Sequence, residues 1–381
     1  MSETVDSSSG GPVEDGPDAT ARVSTGGVIE APEISGGGGR WSAKRVAATA
    51  VIAVVAIFLI VKAAEDVRQF VIVTLNGVTL AALYFVVASG FTLIFGLMRV
   101  VNMAHGSLYL LGGYIALEIQ TRWFAADTGL GLSLSGKSDA EYSVWAWLVP
   151  LILATLIIGV IGVVLQQVFL RWNQGQDLRQ ALITIALSVI LADQMLAYWG
   201  GISKDIAAPS AWPTSITLPG EVRFGFFRGV VVLAAALLIG LGLYLIIKRT
   251  RFGKIVRAGV DDRDMVSALG INVNRVFIGM FFLGSALAGL GGVLGGTMIS
   301  LAPGQDTAFL LNSLIVVIIG GMGSLGGAAI GALALGLVDA YADVYLVFGD
   351  LDLTNYSIIV TFALLVGVLA FRPLGLFGRP A

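Results

Sequence analysis

Apolar runs of about twenty residues follow one another along most of this chain, and that is the length at which a helix crosses the hydrocarbon core of a bilayer. A water-soluble core can bury one such run but not a succession of them. Hydrophobic residues make up 56% of the 381 and charged residues only 13%. The chain therefore reads as an all-α polytopic membrane protein. Run length places about eight full spans, at 46–64, 70–97, 100–121, 144–170, 178–200, 226–247, 273–299 and 356–371. The segment 309–340 differs: two short apolar halves, 309–320 and 328–340, flank Gly-Gly-Met-Gly-Ser-Leu-Gly-Gly at 320–327. It reads as a hairpin or a Gly-broken helix pair, a backbone form tolerated at depth only where protein or a cavity surrounds it.

Residues 1–40 are rich in Gly, Ser, Pro and acidic residues, too polar to bury a core, and are expected to be a disordered cytoplasmic tail. Residues 41–381 form the transmembrane domain. There are no cysteines, which excludes disulfides and thiolate metal sites, and fifty glycines, the small residues that let membrane helices approach closely. With the amino terminus inside, fifteen Lys and Arg residues fall on the cytoplasmic side and seven outside. This puts both termini in the cytoplasm by the positive-inside rule. Trp145, Trp147, Trp199 and Trp212 lie near span ends and read as an interfacial belt.

Polar residues inside apolar runs are the candidates for a translocation path. His105, the sole histidine, stands between two long runs with Asn102, Gly106 and Ser107 beside it. Two readings fit: an interrupted helix offering polar groups to a substrate, or a histidine that caps the break and satisfies carbonyls of a neighbouring helix. Asn76 either lines a path or bonds between helices, and Ser324 is a further path candidate. Residues 106–108 and 323–325 both read Gly-Ser-Leu beside a Gly-rich helix, an echo expected of two repeated halves with interrupted helices. Asp193 and Gln194 lie inside a span. Asp193 is either an ion-coupling group or, about 10 Å along the helix from Gly200, a group reaching the interface. One histidine without nearby Cys or carboxylates does not make a metal site. No Gly-x-x-x-x-Gly-Lys-Ser/Thr loop is present to hold a nucleotide, nor any Ser/His/Asp arrangement for catalysis.

Ten of the 48 charged residues are packed into 248–275. Asp261 or Asp262 is a good helix N-cap there, and Gly270 a good residue just past the helix end. Met265, Ala268 and Leu269 then share one face of a short helix, and Asn272 caps the following span. Such a helix either docks in a partner's groove or lies on anionic lipid.

Four stretches also carry a resemblance. Residues 76–116, containing Asn102-Met-Ala-His105-Gly106, look like the start of branched-chain amino-acid ABC importer permeases. Residues 251–276 resemble their cytoplasmic coupling loop, and 318–332 and 372–378 are similar to their later signatures. The resemblance implies a permease subunit that is not itself an enzyme and binds no cofactor. Its partners would be a second permease subunit, two cytoplasmic ATPases that bind ATP and Mg, an extracytoplasmic solute-binding protein and membrane lipid, with no nucleic acid. It implies that Arg257, Ala268, Gly270, Ile271 and Arg275 meet the ATPase, and the cap and helix face of the charged segment add Asp262, Met265 and Leu269 to that coupling set. Met103 stands where the family commonly has an aromatic, and Asn312 where many members have a basic residue. Urea and short-amide permeases are close relatives of the family. Ion-coupled secondary transport using Asp193 and His105 is the alternative from another class.

Overall fold

The computed structural model describes residues 43–98, 100–124, 143–173, 175–220, 222–261, 263–348 and 351–378. The expected acidic tail, Asp262 and Arg99 lie outside the described residues. Twelve α-helices are seen among the described residues, as lipid requires of a chain that must satisfy its own backbone. They are α1 (Ala43–Glu65), α2 (Val67–Phe91), α3 (His105–Phe124), α4 (Trp145–Leu165), α5 (Asp177–Trp199), α6 (Leu233–Arg249), α7 (Arg251–Asp261), α8 (Arg263–Ala268), α9 (Val273–Met298), α10 (Gln305–Gly320), α11 (Leu325–Tyr345) and α12 (Ser357–Phe371). Wider π-type turns extend α2 over Thr92–Leu97 and α4 over Gln166–Leu170, and Phe227–Val232 leads into α6. An antiparallel hairpin, β1 (Ser215–Leu218) with β2 (Val222–Gly225), precedes that entry, and β3 (Val347–Phe348) pairs with β4 (Leu351–Asp352).

Six of these helices, with their π extensions, are long and apolar enough to cross a membrane: α2, α4, α5, α6, α9 and α11. The chain is a multi-pass membrane protein. The spans expected at 46–64 and 100–121 are the helices α1 and α3, outside that set of six, while α10 and α12 are shorter apolar helices. The segment 309–340 is indeed two helices, joined by the turn 321–324. Its second part, however, is no short half. α11 runs for 21 residues, from Leu325 past the expected end to Tyr345.

The centre of the bundle is α2, α3 and α9, with α4, α10 and α11 packed around them. Close approach depends on small residues: a Cβ on Gly292 of α9 would stand 1.8 Å from the Tyr109 carbonyl oxygen of α3. Two-thirds of the apolar window of α9 is buried, 67%, against 11% for α5 and 17% for α6. Side-chain caps set several helix starts: Asp66 accepts from the Gln69 amide at 2.9 Å, Asn272 from Arg275 at 3.2 Å and Ser324 from Gly327 at 3.0 Å. The aromatic belt needs one correction. Trp147 is buried and donates to Thr297 Oγ1 at 3.0 Å, because α4 packs that face onto α9.

Candidate functional site

The chain between α2 and α3 is where the sequence interrupts itself. Asn102 is fully buried, and its Oδ1 accepts from the Ala104 amide at 3.1 Å while its carbonyl accepts from His105 at 3.4 Å. These bonds end the loop and start α3 at His105, five residues later than the apolar run begins. His105 is also fully buried. Its Nε2 donates to the Val87 carbonyl of α2 at 3.1 Å, and its ring meets Phe91 edge-on at 5.4 Å. That geometry favours the reading of His105 as a group that ties a helix break to its neighbour. Two atoms stay unsatisfied there, Asn102 Nδ2 and His105 Nδ1.

Helix α5 holds the other side of the break through side chains that sequence reasoning passed over. Gln180 Oε1 accepts from the Val101 amide at 3.2 Å and Thr184 Oγ1 from the Met103 amide at 3.0 Å. One turn further along, Ser107 lies 2.7 Å from Ser188 Oγ and 3.4 Å from Asp306 Oδ2. Gly106 makes that meeting of α3 and α10 possible, since a Cβ there would come within 1.9 Å of the Asp306 carbonyl oxygen. Beside these contacts a cavity of about 390 Å³ opens between α3, α5 and the start of α10. Tyr114, Ser188, Val189, Asp193, Leu196 and Asp306 contribute to its wall.

The structure thus gathers Asn102, His105, Gly106 and Ser107, and it brings Asp193 to the cavity that Ser107 adjoins. It does not bring Asn76 or Ser324 there. Asn76 lies eleven residues before Val87 on α2, about 16 Å along the helix, and its neighbour Gly77 packs against Gly336 and Leu337 of α11. Ser324 caps α11 in a turn whose Gly323 backbone abuts Gly96. The two Gly-Ser-Leu elements therefore occupy different positions. Ser107 is inside the first turn of α3, whereas Ser324 precedes α11.

Two carboxyl-bearing residues within the bundle escaped the sequence, Asp306 buried and Asp339 half-buried. Asp306 follows Pro303-Gly304 at the start of α10, three residues before the apolar run by which that segment was recognised. Asp339 lies within an apolar run, where the rule that singled out Asp193 applies equally. It accepts from Tyr84 Oη at 2.9 Å and Thr361 Oγ1 at 2.5 Å, joining α2, α11 and α12.

The charged segment folds into two helices rather than one. The first, α7, was not foreseen; Thr250 Oγ1 accepts from Gly253 at 3.2 Å at its start, and Val256 is buried among residues of α2 and α9. The second, α8, ends as its glycine requires. Gly270 has φ +79°, its amide donates to Ser267 and the Ile271 amide to Val266, two bonds that close a helix end around a left-handed residue. Met265, Ala268 and Leu269 are all exposed, Met265 at 64% and Leu269 at 73%, while Val266 turns inward. Arg257 and Arg275 are exposed and Ile271 half-buried.

A helical membrane bundle with a broken-helix site and an outlying charged helix pair is the frame of a transport component. Residues 73–369 match the family described as branched-chain amino acid transport system, permease component. The chain belongs to that family. It is 32% identical over 317 residues to the high-affinity branched-chain amino acid transport system permease protein BraD of Pseudomonas aeruginosa, covering 80% of this chain and 94% of the relative. The corresponding protein LivH of Escherichia coli is 31% identical over 312 residues, with the same coverage. A probable branched-chain amino acid transport permease protein LivH of Methanocaldococcus jannaschii is 25% identical over 295 residues, 76% of this chain and 87% of the relative. No solved structure matches the chain significantly.

Proposed function

We propose that this chain is the membrane-spanning subunit of an ATP-binding-cassette importer for branched-chain amino acids. In this reading it forms the translocation path and couples it to cytoplasmic ATPase subunits. Family membership across residues 73–369 supports the permease role. The observation that carries the coupling is the tip of the charged segment, where Met265 on α8 and Leu269 just past its end stand exposed, a short apolar ligand for a partner's groove. The excess of Lys and Arg on the same side supports placing it, and both termini, in the cytoplasm of an inner-membrane protein. The sparsely buried faces of α5 and α6 are available to a second permease subunit and to lipid, and a solute-binding protein delivers the substrate from outside. ATP and Mg belong to the ATPases, and this chain performs no chemistry of its own.

The test is to delete residues 263–269, or to make Gly270→Arg, and measure leucine uptake and ATPase co-purification with the reconstituted complex. Both fall to background while membrane insertion persists. Uptake that survives the deletion removes the docking role. Uptake that needs no ATP, stops with a protonophore and is lost in Asp193→Asn identifies an ion-coupled transporter instead, and uptake of urea but not leucine assigns the chain to the short-amide relatives.

A further inference from the structure

We infer that the cavity between α3, α5 and the start of α10 receives a cationic ammonium group, with Asp306 as its anchor and Asp193 as a second carboxylate. On the proposed function, which this inference rests on and deepens, the group is the α-ammonium of an apolar amino acid. Asp306 is only 4% exposed, yet it lines the cavity. Among the described residues its sole side-chain hydrogen bond is from Ser107 Oγ to Oδ2 at 3.4 Å, and Ser188 Oγ competes for that hydroxyl proton at 2.7 Å. Oδ1 accepts nothing among the described residues, and no Lys or Arg among them pairs with Asp306. A carboxylate desolvated to this degree is ordinarily retained beside a compensating cation.

The rest of the wall fits the remainder of such a ligand. Asp193 faces the same space without a hydrogen bond or ion pair among the described residues, so both charges bordering the cavity are negative. An anionic group unaccompanied by a cation is thereby disfavoured. Ser188 and Thr307 supply hydroxyls, and Leu110, Val189 and Leu196 supply apolar surface. One wall thus offers both a charged anchor and apolar surface for a hydrocarbon side chain.

The absence of cysteine in the chain makes the test direct. Val189→Cys, on an exposed part of the cavity wall, is labelled with a maleimide in the intact transporter complex in lipid nanodiscs. Leucine and leucinol, which carry the ammonium, slow labelling about tenfold, as one charge-assisted contact permits. 4-Methylpentanoate, which lacks the ammonium, does not slow it. Adding Asp306→Asn removes the protection, while Asp306→Glu retains part of it. Equal protection by 4-methylpentanoate, protection that persists in Asp306→Asn, or no protection by leucine or leucinol overturns the inference. Leucine uptake by the unmodified complex is measured in parallel. If uptake occurs without ammonium-dependent protection, this site alone is wrong. If protection occurs without leucine uptake, the assigned transport substrate is wrong and the ammonium site stands.

Discussion

Asp306 and Asp339 are the same residue type within the same bundle, and their surroundings are opposite. Asp339 lies deep in α11 and is met by two hydroxyls from two other helices, at 2.9 and 2.5 Å. Asp306 stands at a helix start, receives one long contact at 3.4 Å and looks into an open cavity. The first carboxyl is consumed by the fold: its acceptor capacity fastens α2, α11 and α12 together. The second is left over, and unspent acceptor capacity in a membrane is what a ligand can use. Burial alone does not distinguish a structural acid from a binding one; the inventory of donors does.

That contrast can be broken in graded ways. The largest effect is expected for Gly106→Val, which drives a side chain into the Asp306 carbonyl and separates α3 from α10. Overpacking of this kind costs about 3 kcal/mol, seen as a strongly lowered thermal unfolding temperature of the purified complex and a lost cavity. Asp339→Leu comes next, because it strands the Tyr84 and Thr361 hydroxyls, at about 1–3 kcal/mol. Thermal unfolding detects the loss, and adding Tyr84→Phe and Thr361→Val recovers most of it. Full stability in the single variant would show that the network does not hold the helices. Gly270→Ala places a Cβ in a left-handed position at a cost of about 1 kcal/mol, visible as faster amide exchange in α8. The smallest effect is expected for Asp306→Asn, whose stability should change by less than about 0.5 kcal/mol although ligand protection disappears. If it unfolds the protein as Asp339→Leu does, the two acids are alike and the contrast fails.

Much of the architecture was legible because bilayer thickness imposes a length on apolar runs. The start of α3 was legible more locally, through Asn102 and His105, and the end of α8 through Gly270, whose left-handed φ few other residues adopt readily. What escaped depends on which helices meet. Gln180, Thr184 and Ser188 lie at four-residue spacing along one face of α5, but that face becomes informative only when α3 lies against it. Asp306 gains its meaning from Gly106, two hundred positions away. Asn76 and Ser324 lie away from the cavity: Asn76 precedes the Gly77 contact with α11, and Ser324 caps α11. α7 was missed because its glycines and charges hide an apolar face that only α2 and α9 complete.

The unequal seating of α5 and α9 gives the cavity walls different compliance. The α3 wall is braced against α9, and moving it would disturb the close-packed centre. The α5 wall is 11% buried and attached to the break by two side-chain hydrogen bonds, from Gln180 and Thr184, with Ser188 reaching Ser107 above them. Swinging it outward sacrifices a few polar contacts and little apolar burial. The protein has a stiff jaw, the α3 wall, and a soft one, the α5 wall that carries Asp193.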